Sequence, residues 1–182
     1  MIHQRSAREL ELMARAGRLN ALCMRFLAEM IRPGVSTADI DREARQFIQS
    51  RGGRPSSLGY RGYPAGLCTS VNEEVVHGIP GPRRLREGDI VSVDLTVALD
   101  GYQSDMARTF AVGTVSEAAR ALVETSRECF EAALRVMLPG KRLGDIGHAV
   151  QTLAESRGYG VVRDLCGHGI GRDLHEDPEV PN

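Results

Sequence analysis

The sequence has no charge excess. Its 23 Lys and Arg stand against 24 Asp and Glu, a formal net charge of −1, so it offers no field to gather nucleic acid or anionic lipid. Arg83, Arg84 and Arg86 do lie close together, but in a short loop punctuated by Pro and Gly, which is a solvated turn before it is a binding patch. No apolar run approaches the roughly eighteen residues of a membrane span. The N-terminus, Met-Ile-His-Gln-Arg, opens no apolar segment of signal length. Membrane insertion and export are therefore not expected. Cys23, Cys68, Cys129 and Cys166 form no C-x-x-C pair and no dense disulfide frame, so reduced thiols in a cytoplasmic protein are the simplest expectation. What is present is ordinary: 182 residues, 42% hydrophobic and 26% charged, enough for one well-buried core.

Helix signals recur along the chain. Ser6 and Glu9 make a capping-box pattern ahead of Leu19, Leu22, Cys23, Phe26, Leu27 and Met30 at helical spacing, and Pro33-Gly34 stops the run. Ser36 and Asp39 open a second helix through Ile40, Ala44, Phe47 and Ile48 to Gly52-Gly53. A strand is expected from Leu67 to Val76, led in by Tyr60, Tyr63 and Pro64 and ending just before His77. From Ser116 the helical pattern returns through Leu122, Cys129, Phe130, Leu134 and Met137 to Pro139-Gly140, and another helix is expected over residues 144–157. Residues 33–52 and 139–158, compared at an offset of 106, share seven identities in twenty: Pro, Gly, Asp, Ile, Ser, Arg and Gly in register. Proline-glycine helix stops recur by chance in α/β proteins, but the Asp-Ile and Ser-Arg-Gly matches point to duplication. The expected layout is one domain over residues 1–182 with an internal repeat, approximately 6–112 and 113–182, whose second copy stops before its own hairpin.

The first copy's hairpin, residues 89–112, carries the candidate chemistry. Val91, Val93, Leu95, Val97 and Leu99 alternate with Ile90, Ser92, Asp94, Thr96 and Ala98, so period-2 patterning puts Asp94 on the less apolar face of a strand. Asp100-Gly101 then makes a two-residue turn. Pairing Leu99 with Tyr102 sets Thr96 opposite Asp105, which places Asp105 diagonal to Asp94 on one face, roughly 7–8 Å away backbone to backbone. Two ionised carboxylates that converge stay charged together when a cation sits between them. The plainer alternative pairs Asp94 with an arginine such as Arg108 and leaves Asp105 on the surface.

Of the five histidines, three have unusual settings. His77 lies in Val-Val-His-Gly-Ile-Pro, His168 in Cys-Gly-His-Gly-Ile-Gly, where flanking glycines permit close approach of backbone and ligand, and His175 follows in Leu-His-Glu-Asp-Pro. A lone histidine is more often a satisfied structural residue. Beside the aspartate hairpin, Asp94, Asp105 and His168 become an oxygen and nitrogen ligand set suited to Mn, Fe, Co or Zn, and a bridging carboxylate would favour two ions, a water activated for attack and hydrolysis. His3 and His148 are expected to be structural or exposed.

The segments at residues 59–64, 70–80, 94–110 and 167–172, taken in order, resemble the type I methionine aminopeptidases over nearly the whole chain. The resemblance implies an α+β "pita-bread" (creatinase/aminopeptidase) fold, two pseudo-symmetric α/β halves around an antiparallel sheet, here with the second half incomplete. It implies metal-dependent removal of the initiator methionine from nascent cytosolic chains. By position, Asp94 and Asp105 would be metal ligands with Asp105 bridging, and His168 would bind one ion. His77 and His175 would hydrogen-bond the substrate and stabilise the tetrahedral intermediate. Tyr60, Tyr63 and Cys68 would wall the slot for the methionine side chain. The implied cofactors are two divalent ions (Co, Mn, Fe or Zn), and the implied partners are nascent polypeptide N-termini, at the ribosome, with no nucleic acid, no membrane and a monomeric state.

Ser57 and Leu174 stand where many relatives have Cys and Phe. Family members also continue with a segment supplying two glutamate ligands that nothing after His175 matches. On that count the expectation is one ion or none in this chain, and little activity unless a longer chain or a partner completes it. A proline-specific peptidase of the same fold, or a non-catalytic module, are the competing expectations.

Overall fold

A computed structural model describes residues 2–182 as two compact units, one of His3–Val115 with Ile170–Leu174, the other of Ser116–Gly169 and His175–Asn182 together with residue 2.

The first unit is built on helix α1 (Ala7–Met30), helix α2 (Thr37–Gln49) and an antiparallel sheet. Both helices start where the sequence says they should. Ser6 Oγ accepts from the Glu9 amide and the Glu9 carboxylate accepts from the Ser6 amide, while Ser36 and Asp39 repeat that reciprocal box. These bonds satisfy amides that a helix start leaves without partners. The Ser6 backbone and hydroxyl donors hold the Glu9 carboxyl down at about 2, and Asp39 sits at about 2 for the same reason, with Arg42 assisting.

The sheet has strand β1 (Arg54–Pro55), β2 (Leu67–Val71), β3 (Ile90–Leu99) and β4 (Tyr102–Ala111). β4 runs along one side of β3 over its length, and β2 and short β1 share the other. Val91, Val93, Leu95 and Val97 are fully buried against Leu19, Cys23, Met24 and Leu27 of α1 and Ile40, Ala44 and Ile48 of α2. This single apolar layer, helices on one face of a sheet, is the core of the unit. It leaves the other face for chemistry.

β2 stops at Val71, short of the expected Val76. Asn72 takes a left-handed φ of 57°, and the Glu74 carboxylate accepts from the Val71 amide, so the chain turns away. Val75 and Val76 are apolar yet exposed. His77 therefore lies in a loop, not at a strand end.

In the second unit, helix α3 (Glu117–Val136) packs on helix α4 (Leu143–Ser156), and strands β5 (Cys166–Gly169) and β6 (Glu176–Pro181) pair antiparallel. Two contacts in the first unit recur in the second. Cys23 Sγ reaches Ala44 O at 3.9 Å and Cys129 Sγ reaches Val150 O at 3.7 Å. The Ser36 amide donates to Asp39 Oδ2 and the Arg142 amide to Asp145 Oδ2. Each member of each pair lies 106 residues from its counterpart. All four cysteines are free thiols, and among the described residues no helix is long and apolar enough to cross a membrane.

Candidate active site

The site begins at the β3–β4 turn. Asp100 and Gly101 both take positive φ, 53° and 80°, as a two-residue hairpin matching the twist of its strands requires. That turn fixes the register: Leu99 pairs with Tyr102, Thr96 with Asp105 and Asp94 with Ala107. Side-chain bonds identify the two faces. Ser92 with Thr109, Thr96 with Ser57, and Gln103 with Ser56 mark one; Ser104 with Asn20 and Tyr102 with Glu9 mark the other, against α1. Asp94 and Asp105 both lie on the first face, diagonal to each other, as alternation requires. Arg108 pairs with Val93 on the α1 side, its guanidinium 5.5 Å from the Phe110 ring.

Cys68 is the cross-strand partner of Asp94 in the β2–β3 ladder. Burial pushes its thiol above the ordinary range; the charges of Asp94 and Asp105 push it further, and a hydrogen bond with Tyr63 opposes them. Both carboxylates thus act on one thiol, so the hairpin gathers two negative charges beside it. Tyr63 is pushed up by burial first, then by its bond to Cys68. Its hydroxyl donates to Leu67 O at 3.2 Å and Gly78 O at 3.1 Å, which fixes the ring at the edge of β2. Tyr60 lies close by in sequence in a short 3-10 turn, Tyr60–Gly62, half-buried.

His77 is held through its neighbour. The Thr69 amide donates to Gly78 O at 2.8 Å, and a Cβ on Gly78 would stand 2.2 Å from Thr69 O. Only glycine allows that approach. His77 itself takes φ 60° and its side chain is exposed.

In the second unit His168 and His175 face each other with ring centroids 4.0 Å apart. His168 Nδ1 lies 3.0 Å from Gly169 O, a carbonyl to which only a donating ring N–H can bond. The glycine beside it serves a different contact from the one expected. A Cβ on Gly169 would meet Asp177 O at 2.4 Å, so the close approach is to the backbone leading into β6.

Sequence reasoning missed Gln103. It is buried, its amide donates to Gly171 O at 2.8 Å, its Nε2 donates to Arg172 O at 3.1 Å and its Oε1 accepts from Ser56 Oγ at 2.5 Å. It thereby ties the outer edge of β4 to Ile170–Leu174, with Arg172 also resting 4.9 Å from the Tyr102 ring. The available signal was its place two residues before Asp105, on the same face.

Chemically, two hard carboxylates on one face and an imidazole are ligands of the kind that a divalent first-row ion takes. Among the described residues no group of three or more His, Cys, Asp or Glu side chains forms a complete ion-binding cluster.

Residues 11–182 match metallopeptidase family M24. A methionine aminopeptidase from Clostridium acetobutylicum is 50% identical over all of this chain, which spans 73% of that relative. Methionine aminopeptidase 1 from Bacillus subtilis is 46% identical, with 73% of it spanned. Crystal structures of methionine aminopeptidase from Rickettsia prowazekii (TM-score 0.98, 39% identity) and Thermotoga maritima (TM-score 0.98, 42% identity) superpose on all of this chain, which covers 73% and 74% of theirs. Prolidase from Pyrococcus furiosus, at TM-score 0.86 and 21% identity, covers 97% of this chain and shares the fold alone. The identity runs the full length of the chain and the backbone follows the pita-bread structures throughout, so the chain belongs to metallopeptidase family M24, among the methionine aminopeptidases.

Proposed function

We propose that this protein removes the N-terminal methionine from nascent polypeptides in the cytosol by metal-dependent peptide hydrolysis. The observation that carries this reading is the pair Asp94 and Asp105 on one face of the hairpin, both acting on Cys68. Asp94, Asp105 and His168 would hold divalent metal of the Mn, Fe, Co or Zn kind, Asp105 in the bridging role that the family resemblance implies. The metal, when bound, polarises the scissile carbonyl and lowers the pKa of a water.

The chain's own residues supply the rest. His77 and His175 donate hydrogen bonds to the substrate around the scissile peptide, where negative charge develops in the transition state. Tyr60, Tyr63 and Cys68 wall an apolar slot for the methionine side chain, and discrimination there comes from fit. Tyr63 suits this role because its hydroxyl is engaged by two backbone carbonyls, which leaves ring carbon rather than a polar tip for the thioether. The cytosolic setting is supported by four free thiols.

The test is methionine release from Met-Ala-Ser by the full chain loaded with Mn(II) or Co(II), beside Xaa-Pro peptides under the same conditions. Preference for Met-Ala-Ser over Xaa-Pro peptides is expected, whatever the absolute rate. Preference for Xaa-Pro peptides would replace this reading with the proline-specific one.

A further inference from the structure

One polar residue interrupts the buried stripe of α1. Asn20 is 0% exposed, set among Ala16, Leu19, Cys23 and Met24. Its Nδ2 donates to Leu95 O at 2.7 Å and to Ser104 Oγ at 3.2 Å, whereas its Oδ1 is buried and accepts no hydrogen bond. A buried acceptor without a partner is costly. Its two donated bonds contribute to stability, but the unmet Oδ1 offsets part of that, so stability alone does not account for the amide.

Its two partners do. Leu95 follows Asp94 and Ser104 precedes Asp105. In the ladder, Leu95 pairs with Met106 and Ser104 lies two residues before it; Asp94 pairs with Ala107 and Asp105 lies two residues before that. The Asn20 amide therefore spans, on the α1 face, the same diagonal that the two carboxylates span on the opposite face. Among the described residues β4 has no other strand partner than β3, so its slide and twist relative to β3 are limited by that ladder and by what crosses it.

We propose that Asn20 is a positioning residue that fixes the separation of Asp94 and Asp105 and thereby sets the chain's affinity for a divalent cation. This rests on the reading that those carboxylates hold the ion. Ser104 is the second half of the device, because it turns a tie to one strand into a tie between two.

The test is Co(II) titration into the full chain, by calorimetry and by the visible Co(II) spectrum, with thermal unfolding alongside. Asn20→Leu, which removes both donated bonds, is expected to lower the unfolding temperature modestly, weaken Co(II) binding about tenfold or more, in the range that outer-shell partners of metal sites show, and alter the Co(II) spectrum. Ser104→Ala is expected to weaken binding less. A folded Asn20→Leu chain with the parent's affinity and spectrum would overturn the proposal. Should Asn20→Leu not fold, Ser104→Ala decides, and unchanged binding there would overturn it as well. Asp94→Asn and Asp105→Asn serve as controls. If Co(II) binding survives both, the carboxylates are not the ligands and the inference falls with that reading.

Discussion

Cys68 stands directly across the β2–β3 ladder from Asp94, and Asp105 reaches the same face from β4. A buried thiol flanked by two carboxylates is an environment no apolar pocket needs, since each charge raises the free energy of the others. A divalent cation at the carboxylates would resolve the conflict, and under the proposed function the thiol stays protonated as part of the apolar wall.

Neutralising either carboxylate should therefore remove the metal. Asp94→Asn and Asp105→Asn each keep the size of the side chain and lose its charge. Each is expected to reduce metal-dependent methionine release by at least about a hundredfold, more than outer-shell changes cost. Stability of the metal-free chain should hold or rise as repulsion is relieved. Peptide assay at saturating Mn(II), with unfolding measured in chelator, separates the two effects. Activity near the parent's in either variant would remove these residues from the site.

Gln103 should govern the segment Ile170–Leu174. Gln103→Ala strips two side-chain bonds and leaves Ser56 Oγ and Arg172 O without them, at a cost of about 1–3 kcal/mol. Arg172 is exposed, so local opening presents its peptide bond to trypsin. Faster cleavage after Arg172 in the native variant is expected, and cleavage no faster than in the parent would show that the Gln103 backbone bond alone suffices.

Much of this site was legible before any coordinates. The Asp-Gly turn has one low-energy register in a hairpin, so the pairing of Thr96 with Asp105 follows from two residues. Helix starts were equally legible, because Ser6 and Ser36 each satisfy amides locally. What failed was long-range or ambiguous. Val75 and Val76 look like strand residues, and only the capture of the Val71 amide by Glu74 shows where β2 ends. Gln103 acquires its meaning from Gly171 and Arg172, and Asn20 from Leu95 and Ser104, partners about seventy or more residues away that no local pattern announces.

Gly78 offers a backbone test of His77. A Cβ there would meet Thr69 O at 2.2 Å and Thr69 C at 2.8 Å, so Gly78→Ala must push the loop off β2 and break the Thr69 amide bond to Gly78 O. Methionine release should fall by about tenfold or more, the order lost when a catalytic group is misplaced by a fraction of an ångström. Gly144→Ala is the control, since no atom lies within 4 Å of a Cβ there and its φ is not positive. Equal effects in the two variants would mean that His77 placement does not explain the loss.

Alkaline pH should expose Cys23. It is fully buried between α1 and α2, and burial pushes its thiol from 9.0 up to about 12, against a small opposing effect of Arg51. The unfolded thiol ionises near its ordinary value, so between pH about 9 and 12 the unfolded chain binds fewer protons than the folded one, and stability falls as pH rises. Below that window the contribution is fully present. Cys23→Ala leaves a small cavity and should be less stable than the parent at pH 8, yet its stability should fall less steeply above pH 9, by up to one proton's worth of slope. Tyr63, also pushed up by burial, titrates in both proteins and cancels in the comparison. Urea unfolding across this range should show the two stability curves converging; curves that stay parallel would mean that the Cys23 thiol ionises as readily folded as unfolded.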